Sequence, residues 1–286
     1  MTNKLSSIEA RIGSVQQLST VVSAMRGIAA VRSREARQAL DGIRTYAATV
    51  SAAIAEVLAT MPALPLRAGV AGGGVHILVL LMSEQGFVGA FNERIVEAAR
   101  QMIAASGGAD WEIFVAGNRG AVLLAESGVS ARSITAMIEH SAQAGELAGE
   151  LSDRLFQRLG EGDVAEVLLL HGEPTVPVET VGEKRLAPFD YTRFSITGRA
   201  KPPLMTLPPE HLLERLAEEF AFAELSEAIV LSFAAENAAR TRAMTEANAN
   251  AEKTLEELRQ LYRLSRQEEI TDEIIELAAG VLGRQS

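Results

Sequence analysis

The sequence contains no cysteine, which excludes disulfides, thiol catalysis and cysteine-based zinc sites. Proline is absent from the first 60 residues, and residues 210–279 hold neither proline nor glycine. Long apolar runs are missing too. The longest, 77–82, is far short of the roughly 18 residues that span a bilayer, and the N-terminus lacks the apolar core of a secretory signal. Direct membrane insertion is therefore not expected. There is no basic excess. The formal charge is −10 and lysine occurs only at Lys4, Lys184, Lys201 and Lys253, which argues against general binding to nucleic acid or anionic lipid. No phosphate loop of the Gly-x-x-x-x-Gly-Lys type is present, nor any nucleophile elbow. His76, His140, His171 and His211 have no second ligand at metal-binding spacing. No catalytic residue, metal site or cofactor is expected.

What is present lies at the two ends. Apolar residues recur at Leu5, Ile8, Ile12, Val15, Leu18, Val22, Met25 and Ile28, in steps of three and four that mark a helical stripe close to a heptad repeat. The first prolines, Pro62 and Pro65, put the end of this helix near Ala59. From Pro209, a good first-turn residue, to Gly280, a good stop, Glu, Leu, Ala and Arg dominate. A helix of about 70 residues would be roughly 105 Å long and must pair with another helix or project into a partner. The N-terminal 60 residues carry seven Lys/Arg against four Asp/Glu, and residues 209–286 carry eight against sixteen. A basic helix and an acidic one suit each other as neighbours. Small residues at 234, 235, 238, 239, 243 and 247 would allow close approach.

The middle reads as α/β. Residues 75–82 form a run that is apolar but for His76, and Val167-Leu168-Leu169-Leu170 in the segment 164–170 is another, the mark of strands buried on both faces. Between them lie a helix at about 91–103, a strand at 111–116, a helix near 121–126, a weak strand at 133–138 and a helix at 146–159. Such alternation implies a mostly parallel sheet. Residues 172–209 hold most of the prolines and read as irregular chain, with one strand near 193–197. The loop 83–92, with Gly86 and Gly89 at the carboxyl end of the first strand, reads as a tight turn, or more weakly as an anion cradle.

Several segments carry a resemblance. The run Glu236-Asn237-Ala238-Ala239-Arg240-Thr241-Arg242-Ala243-Met244 is similar to the "SEQAARMVAM" segment of γ subunits of F-type ATP synthases. Arg266-Gln267-Glu268-Glu269-Ile270-Thr271 resembles the same family's "RQASITQEL" segment. Ser23-Ala24-Met25-Arg26-Gly27-Ile28-Ala29-Ala30-Val31-Arg32-Ser33-Arg34 resembles "KAMEMVAASKMR", and the loop 83–92 sits where the family has "SDRGLCGGLN". The resemblance implies an antiparallel coiled coil of the terminal helices (1–60 and 209–286) around a central Rossmann-like α/β domain (61–208). It implies a non-catalytic rotor shaft on the cytoplasmic side of the bacterial inner membrane, coupling ion-driven rotation of a c-ring to the catalytic β subunits. The implied partners are the α, β and ε subunits and the c-ring. The implied contact residues are Met25, Arg26, Arg32, Arg34, Arg240, Arg266, Gln267 and Thr271. Gly27, Glu84, Gln85, Phe87 and Val88 depart from the family pattern. Alternatives are a γ-like subunit of a second, sodium-translocating ATPase, and a coiled-coil adaptor or regulator outside any rotary complex. Placing Met25 opposite Arg240 gives an antiparallel register in which paired residue numbers sum to about 265, so that Leu40 meets Leu225.

Overall fold

The computed structural model describes residues 2–61, 74–176, 178–194 and 204–282. By packing, the chain forms two compact units, residues 1–28 with 241–286, and residues 29–240. The division expected above follows chain segments; this one follows contacts and cuts through both long helices, α1 (Thr2–Leu58) and α5 (Pro209–Leu282). Helix α5 continues two residues past Gly280, the expected stop.

The unit of residues 29–240 is built on a five-stranded sheet. Strands β1 (Val75–Leu81), β2 (Trp111–Ala116), β3 (Ser133–Thr135), β4 (Val164–Glu173) and β5 (Thr180–Ala187) lie in the order β3-β2-β1-β4-β5. All neighbours are parallel except β4 and β5. Helices α2 (Phe91–Ala105), α3 (Asn118–Glu126) and α4 (Ala144–Leu159) connect the parallel strands. Side chains alternate along β1: Ile77, Val79 and Leu81 pack with α4 and with Leu40, Leu225 and Ile229 of the long helices. Leu78, Leu80 and Met82 pack with α2 and α3. Burial on both faces explains why this strand is apolar from Ile77 onward. Arg158 of α4, itself buried, joins Glu112 of β2 to Asp163 just before β4.

Strand β5 corrects the expectation of irregular chain over 172–209. Its sequence, Thr-Val-Gly-Glu-Lys-Arg-Leu-Ala, carries charges because it is an edge strand with an exposed face. The strand expected near 193–197 is not found where the chain is described. Residues 191–193 form a 3₁₀ turn, and 195–197 lie outside the described residues.

One hydroxyl ties helix α5 to two strands of the sheet. Ser232 donates to the Leu81 carbonyl (2.7 Å) and accepts from the Gly172 amide (3.1 Å). Alanines 234, 235 and 239 are buried beside it, so part of the small-residue stripe packs against the sheet domain. Gly172 is needed there, because a Cβ would lie 2.4 Å from the Phe91 ring and 3.0 Å from Ala235. In this unit Ser33 bonds the Ala234 carbonyl, Arg44 bonds Glu227 and Tyr46 bonds Glu219.

The other unit, residues 1–28 with 241–286, is a helix pair. On its own part of α5 the inner positions are Met244, Asn248, Ala251, Leu255, Leu258, Tyr262 and Ser265, alternating steps of four and three. On α1 they are Ile8, Ile12, Val15, Ser19 and Val22. Ser19 and Ser23 bond Asn248 (3.0 and 3.1 Å), and Tyr262 bonds Glu9 (2.7 Å). The residue numbers of the bonded pairs in the two units sum to 265–271, so the antiparallel register expected near 265 holds to within about one turn. The stripe is displaced in detail. Leu18 and Ile28, expected inside, are each 56% exposed. A strict seven-residue step from Ile8 and Ile12 selects Ser19 and not Leu18. This pairing predicts that Ser23→Cys together with Asn248→Cys, in a chain with no other cysteine, crosslinks on mild oxidation. Failure to crosslink, read on a denaturing gel with and without reductant, would contradict the register.

Candidate functional site

The loop 83–92 is held from three sides. At its root, the Ser83 amide donates to Asn92 Oδ1 (3.0 Å) and Asn92 Nδ2 donates to Ser83 Oγ (2.7 Å). Glu84 turns the other way, where its carboxylate accepts from the Asn118 amide (3.1 Å), Asn118 Nδ2 (2.5 Å) and the Met137 amide (2.8 Å). It thereby caps the N-terminus of α3, where a negative charge is favoured. The third hold is Arg240 of α5. Its guanidinium donates to the carbonyls of Gln85 (3.3 Å) and Gly86 (3.3 and 3.4 Å), to Asn237 Oδ1 (3.2 Å) and to Glu236 Oε1 (2.6 Å). Two carbonyls thus face a cation, an arrangement that does not suit the anion-cradle reading. At the tip, Phe87 adopts a left-handed φ of 61° and is 67% exposed, whereas Val88 and Phe91 are buried in the core. A left-handed non-glycine residue costs free energy that the surrounding contacts must offset.

Arg240 and Glu236 are 6% and 3% exposed. An ion pair taken this far from water is costly unless its remaining polar atoms are satisfied. Arg240 satisfies its own; Glu236 Oε2 is buried with no hydrogen-bond partner. Burial pushes the Glu236 carboxyl up to about 7, with Arg240 and Arg32 opposing the rise and Glu84 adding to it.

The eight residues expected to make partner contacts fall into three places. Met25, Arg26 and Arg32 are half-buried on α1, and Arg34 is exposed there. Arg266, Gln267 and Thr271 are exposed on α5, beyond Ser265, the last buried residue described on that helix. Arg240 is enclosed and engaged by this chain's own loop. Sequence reasoning passed over Glu236 as a site residue, although its position four before Arg240 is the spacing of a helical ion pair.

Comparison with known proteins decides the family. A family model described as ATP synthase matches residues 4–282. The ATP synthase gamma chain of Granulibacter bethesdensis is 30% identical over 300 residues, covering 96% of this chain and 98% of its own. The chain belongs to the ATP synthase gamma-chain family. A gamma chain of Gluconacetobacter diazotrophicus matches at 30% identity over 292 residues, with the same coverage. The fold agrees with a chain of the Euglena gracilis mitochondrial ATP synthase rotor, at a TM-score of 0.65 and 12% identity over 94% of this chain and all of that one. A chain from that enzyme's OSCP/F1/c-ring structure superposes at a TM-score of 0.67 and 11% identity, over 99% of this chain and 95% of its own. Gamma chains are non-catalytic subunits of the central stalk. No described helix here is long and apolar enough to cross a membrane.

The raised Glu236 carboxyl makes the stability of this chain depend on pH. The folded state holds this proton up to about pH 7, whereas an unfolded glutamate releases it near 4.5. The folded chain therefore binds more protons in that window, and stability falls as pH rises through it. The contribution of this one group is about 3 kcal/mol. Urea unfolding at intervals across the window should show this slope in the parent chain and its loss in Glu236→Gln. An unchanged slope in the variant would refute the assignment.

Proposed function

We propose that this chain is the rotating shaft of an F-type ATP synthase, passing ion-driven rotation of a c-ring to the catalytic β subunits, whose nucleotide sites it cycles through their binding states. In this reading the helices of residues 1–60 and 209–286 form the shaft, and residues 61–208 form the base that meets the ε subunit and the c-ring. The α and β subunits surround the shaft. The chain sits on the cytoplasmic side of the bacterial inner membrane, held there by its partners, and needs no cofactor.

The observation that supports this most is the apolar outer surface of the long helices. Leu18, Val21, Ile28 and Val31 are exposed on α1, and Leu261, Leu264, Ile270, Ile274 and Ile275 on α5. Exposed stripes of this kind mark interfaces, and gamma chains match this chain from end to end. Met25, Arg26, Arg32 and Arg34 lie among the α1 positions, and Arg266, Gln267 and Thr271 among those of α5. These seven are proposed to meet β-subunit loops. Arg240, the eighth, holds the loop 83–92 of its own unit in place. The alternatives, a sodium-coupled second ATPase and an adaptor outside a rotary complex, gain no support from the comparisons.

Tagged protein isolated from membranes should bring α and β subunits with it, and recovery without them would overturn the reading. Reversing charge by Arg26→Glu or Arg32→Glu should lower coupled ATP synthesis by about five-fold, the effect of roughly 1 kcal/mol at an exposed ion pair, with assembly retained. Chains ending at Arg266 should keep the unit of residues 29–240 folded by circular dichroism, yet assemble or couple poorly. Normal coupling by the truncated chain would remove Gln267 and Thr271 from the contact surface.

A further inference from the structure

The clamp on the loop 83–92 has one atom out of balance. A carboxylate has two oxygens that each need a donor. Glu236 Oε1 has Arg240, but Oε2 is buried and, among the described residues, meets none. Arg240 is stretched between this carboxyl and the loop, donating on one side to Glu236 and on the other to the Gln85 and Gly86 carbonyls. The loop's far end is seated on α5 beside the same residue, where Phe91 and Ala235 close over Gly172. The charged groups facing Glu236 are Arg240 from α5, Arg32 from α1 and Glu84 from the loop. Both cations are donors, yet neither bonds Oε2, and the second carboxylate has no hydrogen to give it.

We propose that Glu236 is a proton-linked latch: its carboxyl takes up a proton when the loop 83–92 closes over it and gives the proton up when the loop lifts. The assignment goes beyond the shaft reading and holds whatever the chain assembles with. Closure removes the carboxyl from water while leaving one oxygen unmet, which favours the neutral acid. Lifting the loop detaches Gln85 and Gly86 from Arg240 and returns Glu236 and Arg240, both on α5, to water as an ordinary exposed pair, which favours the anion. The step is a simple acid–base exchange, in which solvent supplies the proton to Oε2 on closing and accepts it on opening. Phe87, exposed at the loop tip, is the part that moves.

The sign follows from linkage. Burial is the largest cause of the raised Glu236 carboxyl, which in the closed state titrates near 7. The open state, with Glu236 in water, has the lower value. Opening is therefore favoured as pH rises, by up to tenfold in the open-to-closed ratio per pH unit, and levels off above about pH 7.

The absence of cysteine gives a clean test on the full chain. Phe87→Cys accepts a single nitroxide label, whose mobility is read by electron paramagnetic resonance from about pH 4 to pH 8.5, a span that brackets the window. The mobile fraction should grow with pH up to about 7 and then stay level. Adding Glu236→Gln, which is permanently neutral, should hold the label immobile over the whole range. An equal pH response in that double variant, or no response in the single one, overturns the latch. Should the double variant fail to fold, carbon-13 NMR of glutamate-labelled Phe87→Cys protein decides instead. A glutamate carboxyl must titrate in step with the label, and its absence removes the proposal. Because neither readout needs partner subunits, failure here leaves the shaft reading to its own co-purification test.

Discussion

The hydroxyl of Ser232 joins three chain segments that are far apart in sequence. By giving its hydrogen to Leu81 and taking one from Gly172, it fixes α5 against the carboxyl ends of β1 and β4. Both groups lie at buried positions, where a backbone group without a partner is costly. One side chain meets both. Its place on the helix then sets what lies a turn or two further on: Ala235 and Ala239 against the core, Glu236 and Arg240 beneath the loop that leaves β1. Gly172 and the alanines have to be small because this approach is close.

Arg240 then has a different task from its counterparts on the surface. A guanidinium offers five donors in a fixed fork, and here they reach two backbone carbonyls, an amide and a carboxylate. A lysine could not span this set. The left-handed Phe87 and the cap that Glu84 places on α3 both depend on the loop being held in this one path. The surface offered at the loop tip is therefore determined from inside the chain, by residues buried beneath it.

Much of this was legible in the sequence, and the reasons are physical. Strands buried on both faces must be apolar throughout, so β1 and most of β4 stood out. A proline-free stretch of helix formers can be little else than helix, so α1 and α5 did as well. Strand β5 was not legible, because an edge strand paired on one side keeps charges such as Glu183, Lys184 and Arg185 and sits among prolines. The seam of α1 was legible in period but not in phase: Leu18 looked like the inner residue and Ser19 takes that place. In the site, the motif containing Arg240 was readable, but its burial was not. Whether a charge on a long helix faces solvent or a loop depends on the packing of residues distant in sequence.

The helix pair of residues 1–28 and 241–286 has its polarity partly reversed. Ser19, Asn248, Ala251 and Ser265 occupy inner positions, while Leu18, Val21, Ile28, Leu261, Leu264, Ile270, Ile274 and Ile275 lie outside. Covering an exposed aliphatic side chain is worth about 1.5–3 kcal/mol. A seam containing serine, asparagine and alanine gains much less per layer, although the Ser19, Ser23 and Asn248 hydrogen bonds fix its register. Such a pair is specified by its inside and leaves those outer aliphatic residues exposed. That division suits the shaft proposed above, which has to keep one register within itself while offering an apolar surface to its partners.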